Sequence, residues 1–297
     1  MNYYLQTNML TKRYGSKKAV NKLSIHVKRG DIYGLIGPNG AGKTTLMKMI
    51  AGFTAPTEGE INLFNDSDGQ RRIGCLIESP GLYGDLNAVD NMTLKAKAMG
   101  LYNKAEIRRI LEYVGLQKDL KKKTKNYSLG MKQRLGIAMA LIGNPDMLIL
   151  DEPINGLDPQ GILEIRRLIL DLSQSQNITI IISSHILEEL HKVANVFGII
   201  SDGELLMEIS SEELKEKCSE RVEICTEDTG KCVTLLEEMG IKDYNVMEKE
   251  KIFAFNCTDR VADINSVLVS KSVPVNSIGI NAVTLEEFYL DTIQKGV

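Results

Sequence analysis

GPNGAGKTT, residues 37–45, follows the apolar stretch DIYGLIG at 31–37 and precedes KTTLMKMIAGF at 43–53. The nine residues fit the pattern G-x-x-x-x-G-K-[ST], and the flanking stretches predict a strand before the loop and a helix after it. The alternative is a glycine-rich loop that matches the pattern by chance. Such a loop would not be expected to lie between a strand and a helix. The sequence therefore predicts a phosphate-binding loop in an α/β fold.

Each residue type in this loop has a chemical reason to be there. Glycines allow backbone amides to turn inward on an anion, and the start of a helix near Lys43 adds a positive end. Lys43 supplies a mobile charge for the β- and γ-phosphates, and the Thr44 hydroxyl can bind Mg²⁺. The residues predicted to contact nucleotide are Gly37, Asn39, Gly40, Ala41, Gly42, Lys43, Thr44 and Thr45.

Two further apolar stretches end in polar residues that suit a nucleotide site. MLILDEP places Asp151 and Glu152 after a strand, and ISSHILEE places His185 after another. We expect Asp151 to hold Mg²⁺, Glu152 to act as the general base on the attacking water, and His185 to contact the γ-phosphate. The alternatives are a helix cap for the two carboxylates and a structural role for the histidine.

The order of predicted elements indicates a parallel sheet with helices. The apolar stretches at 146–153 and 178–183 are separated by the helical QGILEIRRLILDLSQS, which is the pattern of a sheet buried on both faces. Residues 4–27 alternate as short strands, and residues 86–143 carry helical periodicity with Gly100, Gly115 and Gly143 as predicted helix stops.

The C-terminal part of the chain predicts a separate small α+β domain. Its elements run strand, helix, strand, strand, helix, strand, a ferredoxin-like order, before a last amphipathic helix in TLEEFYLDTI. The predicted positions are 222–226, 231–239, 244–248, 252–256, 260–270 and 274–280. We place the domain boundary between residues 215 and 216, and no motif in this domain indicates chemistry.

Composition restricts the class of protein. The chain has 297 residues, a net charge of −3 and five cysteines without metal-ligand spacing, which predicts reduced thiols and no general nucleic-acid binding. The first residues lack the apolar segment of a secretory signal, and no apolar run is long enough to cross a bilayer. We therefore expect that any membrane part belongs to another chain.

Read together, the motifs resemble the nucleotide-binding subunits of ATP-binding cassette (ABC) transporters over residues 3–215. Tyr14 matches the aromatic residue that stacks on adenine, GPNGAGKTT the Walker A motif, LILDEP Walker B, YSLGMKQ the signature motif, GLDP the D-loop and His185 the switch histidine. The resemblance implies a P-loop NTPase with a RecA-like core, an antiparallel β subdomain and a helical subdomain. It also implies ATP and Mg²⁺ as ligands and ATP hydrolysis as the reaction.

The resemblance further implies that two ATPase subunits act together. In this family, Ser128 and Gly130 of the signature motif would contact the γ-phosphate held by another subunit, and Asp158 would sense that site. The chain would then form a head-to-tail homodimer or heterodimer around two ATP molecules. We predict that Ser128, Leu129 and Gly130 precede a helix from Met131 to about Ile142, whose positive end faces the anion. Leu129 replaces the usual small glycine.

Glu78, in IGCLIESPGLY at 73–83, departs from the glutamine that is usual at this position of the family. With YSLGMKQRL and TLEEFYL, it resembles the ATPases of bacitracin and lantibiotic immunity exporters. That branch implies one or more separate permease subunits and a cytoplasmic location, peripheral to the inner face of the membrane. We expect Glu78 to lie near Mg²⁺ and the hydrolytic water, neutralised by the metal and Lys43. A solvent-facing glutamate without a role is the alternative.

Residues 78–92, ESPGLYGDLNAVDNM, are our candidate docking surface for the permease. An importer subunit shares the nucleotide chemistry, so only the features around Glu78 favour export. An ABC protein that acts on ribosomes or DNA is less consistent with a single cassette. The one basic run, KDLKKKTK at 118–125, is more typical of a solvated loop. Regulation, dimer contacts and stabilisation all remain open for the C-terminal domain.

Overall fold

The computed structural model describes residues 3–63, 72–247 and 250–295. These residues divide into two compact units, the first within 3–211 and 292–295 and the second within 212–291. Compactness alone does not show independent folding, so the domain boundary predicted after residue 215 stays a prediction. In the described part of the chain, no helix is long and apolar enough to cross a membrane.

The first unit contains two sheets. Its strands are β1 (Tyr3–Tyr14), β2 (Lys17–Leu23), β3 (His26–Lys28), β4 (Ile32–Ile36), β5 (Glu58–Leu63), β6 (Ile73–Leu76), β7 (Met147–Leu150), β8 (Thr179–Ser184), β9 (Val196–Ser201) and β10 (Glu204–Ser210). Its helices are α1 (Lys43–Ile50), α2 (Ala88–Ala98), α3 (Lys104–Tyr113), α4 (Leu129–Ala140), α5 (Pro159–Gln176) and α6 (Leu187–His191). A 3₁₀ turn covers Thr124–Asn126.

The larger sheet has six strands in the order β10-β9-β4-β8-β7-β6. All neighbours are parallel except β10, which pairs antiparallel with β9. Every residue of β4, β7 and β8 is buried. The predicted parallel sheet is confirmed, and because parallel strands end at one edge, the polar residues after these strands are brought together.

A smaller antiparallel sheet is built around β1, which pairs with β2, β3 and β5. Its buried residues, including Leu5, Leu10 and Val20, share one hydrophobic cluster with Leu46 and Met47 of α1. The predicted antiparallel subdomain is therefore present, and it packs against the helix that follows the phosphate-binding loop.

The helical part contains α2, α3 and α4, as predicted. Gly100, Gly115 and Gly143 follow these helices with φ angles of 70°, 75° and 85°, a conformation that ends helices and favours glycine. The predicted start of α4 at Met131 is wrong by two residues, because Ser128 caps the helix and Leu129 is its first residue. The loop before it is largely exposed, as expected for KDLKKKTK, except for the buried Thr124.

The second unit has the predicted ferredoxin-like order. The division between the units falls within α7 (Ser211–Lys217), and the sheet of the second unit runs β12-β13-β11-β14 with every pair antiparallel. Its elements are β11 (Glu220–Thr226), α8 (Thr229–Glu238), β12 (Tyr244–Met247), β13 (Lys251–Phe255), α9 (Val261–Ser270) and β14 (Val275–Ala282), followed by α10 (Leu285–Lys295). Residue 248, predicted to end a strand, lies outside the described residues. The core includes Ile224, Leu236 and Ile264.

Gly74 determines how closely α4 approaches the larger sheet. A Cβ atom at Gly74 would lie 2.1 Å from the carbonyl oxygen of Ala140, the last residue of α4. Backbone cannot rotate away as a side chain can, so any larger residue displaces the helix.

We therefore expect Gly74→Ala to lower the free energy of unfolding by about 1–3 kcal/mol, as overpacking does in a close-packed interior. Urea unfolding of the full chain measures this. Gly230→Ala on α8 is the matched control, because a Cβ atom there meets nothing within 4 Å. Equal effects of the two substitutions would contradict the prediction.

Candidate nucleotide-binding site

The phosphate-binding loop lies between β4 and α1, and two of its glycines are required by close backbone contacts. Gly42 caps α1 with a φ of 102°, and a Cβ atom on it would lie 2.3 Å from the carbonyl oxygen of Ala19. A Cβ atom on Gly37 would lie 2.3 Å from the carbonyl oxygen of Ile200. The loop therefore keeps its backbone amides turned toward the space in front of α1.

That space is a cavity of about 340 Å³. Its lining residues are Tyr14, Lys17, Ala19, Pro38, Asn39, Gly40, Ala41, Gly42, Lys43, Thr44, Thr45 and Glu152. Seven of the eight predicted loop residues are among them, and Gly37 lies just behind. Tyr14 is 53% exposed, and Lys12 Nζ lies over its ring, 5.3 Å from the centroid.

Lys43 is buried, and its charge is held inside the loop. Its Nζ donates to the carbonyl oxygens of Gly37 at 2.6 Å and Pro38 at 3.3 Å. The same atom lies 3.5 Å from Glu152 Oε1. The buried cation is thus partnered by neutral oxygens and one carboxylate, and an anion in the cavity would add a stronger partner.

Asp151 follows β7 and is joined to two neighbouring elements by short hydrogen bonds. Thr44 Oγ1 on α1 donates to Asp151 Oδ2 at 2.8 Å, and Ser183 Oγ on β8 donates to Asp151 Oδ1 at 2.6 Å. Both Asp151 and Ser183 are buried. The sequence did not single out Ser183, although its place two residues before His185 at the end of an apolar strand was a usable signal.

A hydroxyl and a carboxylate in contact form the oxygen set that Mg²⁺ prefers. The described residues contain no cluster of three or more His, Cys, Asp or Glu side chains that would hold a metal without other ligands. Mg²⁺ usually keeps several waters and shares ligands with phosphates, so the pair formed by Thr44 and Asp151 fits that ion.

Glu152 and His185 meet at the same sheet edge. Glu152 Oε2 and His185 Nδ1 are 3.0 Å apart, although the two residues follow different strands. Glu152 adopts a left-handed φ of 49°, and its backbone N–H donates to Ser183 Oγ at 2.9 Å. Its buried Oε1 accepts no hydrogen bond among the described residues, and Glu152 lines the cavity. The carboxylate is thus positioned to accept a hydrogen bond from a small molecule in the cavity.

Glu78 has a different partner from the one predicted. Lys48 Nζ on α1 donates to Glu78 Oε1 at 2.6 Å, and this hydrogen bond raises the pKa of Lys48. The expected neutralising residue, Lys43, contacts Glu152 instead. The Glu78 side chain is 65% exposed, which agrees with the solvent-facing position considered as the alternative. Its φ of 64° turns the chain sharply after β6.

The predicted signature residues form a helix start away from the phosphate loop. Ser128 Oγ accepts from the N–H of Met131 at 3.3 Å, and Gly130 lies in the first turn of α4. Leu129 is 46% exposed. Asp158 caps α5 in the same way, since its Oδ1 accepts from the N–H of Gly161 at 3.2 Å. None of these residues lines the cavity at the phosphate loop.

Known proteins are similar to this chain in both sequence and fold. The family model described as ABC transporter matches residues 20–155. The chain is 44% identical to the bacitracin transport ATP-binding protein BcrA of Bacillus licheniformis, over 100% of this chain and 99% of that protein. It is also 44% identical to the lantibiotic transport ATP-binding protein SrtF of Streptococcus pyogenes, over 69% of this chain and 90% of that one. A crystal structure of an ATP-binding cassette of an ABC transporter, in its ADP conformation, superposes with a TM-score of 0.65 at 25% identity, covering 73% and 95% of the two chains.

Ser183 provides a stability test of the site. Ser183→Ala removes the donor to the buried Asp151 and the acceptor for the N–H of the half-buried Glu152. We expect a loss of about 1–3 kcal/mol in the free energy of unfolding, because buried polar groups lose their partners. Urea unfolding measures it. Ser175→Ala, which removes an exposed hydrogen bond to Asp171 on α5, is the control and should be close to neutral. Unchanged stability of Ser183→Ala would show that the hydroxyl does not hold the two carboxylate residues.

Proposed function

The chain belongs to the ATP-binding subunits of ABC transporters, and from this premise we propose that it drives export of a membrane-active peptide antibiotic through a separate permease. As a member of this family it is an ATPase, which binds ATP and hydrolyses it to ADP and phosphate. One observation carries the proposed chemistry. Residues that follow three different strands, β4, β7 and β8, converge, with Glu152 3.5 Å from Lys43 and 3.0 Å from His185.

In the proposed bound state, the phosphates of ATP lie along the loop amides in front of α1, with adenine on the exposed face of Tyr14. The positive end of the helix and the loop N–H groups attract the anion. Lys43 needs only to exchange carbonyl partners for the β- and γ-phosphate oxygens, since its Nζ already lies inside the loop. Thr44 and Asp151 would hold Mg²⁺, which neutralises phosphate charge when bound.

For hydrolysis, we assign Glu152 as the general base. Its Oε1, which lies 3.5 Å from Lys43 Nζ and accepts no hydrogen bond from the described part of the chain, takes a proton from the attacking water. The water oxygen forms a bond to the γ-phosphorus, and the bond to the β-phosphate oxygen breaks. His185, at 3.0 Å from the other carboxylate oxygen, would fix the orientation of Glu152 and contact the γ-phosphate. The buried hydrogen bonds around Ser183 keep this geometry in place.

The signature residues complete the proposed site from a second subunit. In one chain, Ser128 and Gly130 at the start of α4 do not line the phosphate cavity. A head-to-tail homodimer or heterodimer would bring this helix start to the γ-phosphate of the other subunit, with Asp158 across the interface. Loss of the γ-phosphate would then weaken the dimer.

The relatives named for bacitracin and lantibiotic transport support the proposed cargo class. The chain would work at the inner face of the membrane as a peripheral subunit of one or more permeases. Residues 78–92 are the proposed docking surface for that partner. Tyr83 in this segment is exposed, and Leu82 and Pro80 line a groove of about 460 Å³ together with Leu129 and Lys132 of α4. A permease segment there would touch both the Glu78 loop and the signature helix.

The central test is Glu152→Gln. The amide keeps the size of the side chain but cannot take a proton, so we expect hydrolysis to fall about 100-fold or more. ATP binding should be retained, and ATP-dependent dimers should accumulate because the γ-phosphate persists. Phosphate release, equilibrium ATP binding and sedimentation measure the three effects.

Glu188→Gln is the control for Glu152→Gln, since Glu188 is an exposed carboxylate on α6. It removes a carboxylate charge without changing a residue that lines the cavity. If Glu152→Gln hydrolysed ATP at the rate of Glu188→Gln, the general base would be another group.

Glu78→Gln tests the second carboxylate. We expect the fold and ATP binding to persist while the Mg²⁺ dependence of hydrolysis, or its coupling to peptide immunity, changes, because a charge near the metal is lost. Lys48→Met separates the two roles of Glu78, since it removes the ion pair but keeps the carboxylate. A Glu78→Gln variant with the Mg²⁺ dependence, turnover and immunity of the original chain would refute a role for the charge. If Lys48→Met reproduced its effects, the ion pair rather than the metal would be responsible.

A further inference from the structure

We propose that β14, at the edge of the second unit's sheet, pairs with β14 of a second copy of this chain. The two sheets would then form one antiparallel sheet across a twofold axis at Gly279. This contact does not depend on ATP, and it is distinct from the nucleotide-dependent dimer proposed above.

The first observation is an unprotected edge. β14 is eight residues long and pairs only with β11 among the described strands. Its outer row of N–H and C=O groups is therefore a template for another strand. None of its residues, Val275 to Ala282, is charged, and no proline interrupts it.

The other edges of comparable length are protected in the usual way. β2 carries Lys17, Lys18 and Lys22, β5 carries Glu58 and Glu60, and β10 carries Glu204 and Glu208. The edge strands β6 and β12 have only four residues each. Charges and short length are the two devices that prevent strands from pairing with foreign edges. Among the long described edges, β14 lacks both devices.

The second observation is the polarity pattern of residues 277–281, Ser-Ile-Gly-Ile-Asn, which reads the same in both directions about Gly279. Ile278 and Ile280 lie opposite Ile224 and Val222 of β11, on the face that carries the core. Ser277 and Asn281 lie opposite Cys225 and Arg221, on the other face. One face of β14 is therefore apolar and the other is polar.

This pattern selects a second copy as the occupant. With Gly279 opposite Gly279 in antiparallel pairing, Ile278 of each copy faces Ile280 of the other, and Ser277 faces Asn281. Apolar residues then meet apolar ones on one face, and polar residues meet polar ones on the other. A twofold interface requires such self-complementarity, whereas a strand of an unrelated partner does not.

Apolar surface next to the edge would be buried by the same contact. Ile280 is 56% exposed although it lies on the core side of the sheet. α9 packs against β14, and its Val269 is 60% exposed. Burying these side chains adds hydrophobic stabilisation to the strand hydrogen bonds.

Gly279 allows a direct test. A Cβ atom at Gly279 meets nothing within 4 Å, and its φ is not in the left-handed region, so there is space for a side chain there, opposite Glu223 of β11. In the proposed dimer, the two residues at 279 face each other across the axis. Like charges at both would repel, and opposite charges would attract.

The experiment is sedimentation velocity of the full chain without nucleotide over a range of concentrations. We expect a reversible monomer–dimer equilibrium for the unaltered chain. The dissociation constant of the dimer should be about tenfold higher or more for Gly279→Lys and for Gly279→Glu. An equimolar mixture of these two variants should restore dimers. Gly279→Ala and Gly230→Lys are the controls, and both should dimerise like the unaltered chain. Circular dichroism and thermal unfolding verify that each variant is folded.

A chain that stays monomeric without nucleotide at every concentration would overturn the proposal. Folded Gly279→Lys and Gly279→Glu variants that dimerise normally, or a mixture that fails to restore association, would overturn it as well. If the isolated chain is monomeric but Gly279→Lys abolishes peptide immunity in cells, a strand of another partner occupies the edge instead of a second copy.

Discussion

The hydrogen bonds that Asp151 accepts from Thr44 and Ser183 join the phosphate-loop helix α1 to the ends of β7 and β8. A buried carboxylate is stable only when it is paired or hydrogen-bonded, so these two hydroxyls are a condition for having the charge at this place. The same Ser183 oxygen accepts the N–H of Glu152, which directs that side chain into the cavity. The nucleotide site therefore depends on one buried network.

The parallel sheet explains why this network can exist. The strands β4, β8 and β7 are neighbours and run parallel, so their carboxyl ends lie at the same edge of the sheet. Each strand is followed there by one part of the site: the loop at 37–42, His185 and Asp151, respectively. Strands that are buried on both faces cannot shift register without exposing apolar residues, so the polar residues after them stay aligned. The site is thus positioned by the core rather than by the loops.

The two units illustrate different uses of a sheet edge. In the first unit, the edge formed by strand ends carries polar residues that contact each other and line a cavity. In the second unit, the lateral edge β14 carries no charge and has a polarity pattern symmetric about Gly279. Interactions of the backbone, not of catalytic side chains, would then explain why a domain without a chemical motif is attached to an ATPase.

The sequence by itself determined the phosphate loop, the parallel core, the family and the residues Asp151, Glu152 and His185, because these depend on local patterns. Only the tertiary structure decided which groups meet. Ser183 was not found because its partner is distant along the chain, and Lys48 replaced Lys43 as the partner of Glu78 because α1 places it beside the turn after β6. The predicted start of α4 was two residues too late, because Ser128 caps the helix and the helix begins before its apolar periodicity becomes visible. Periodicity and spacing report the backbone, whereas the contacts between distant side chains depend on packing.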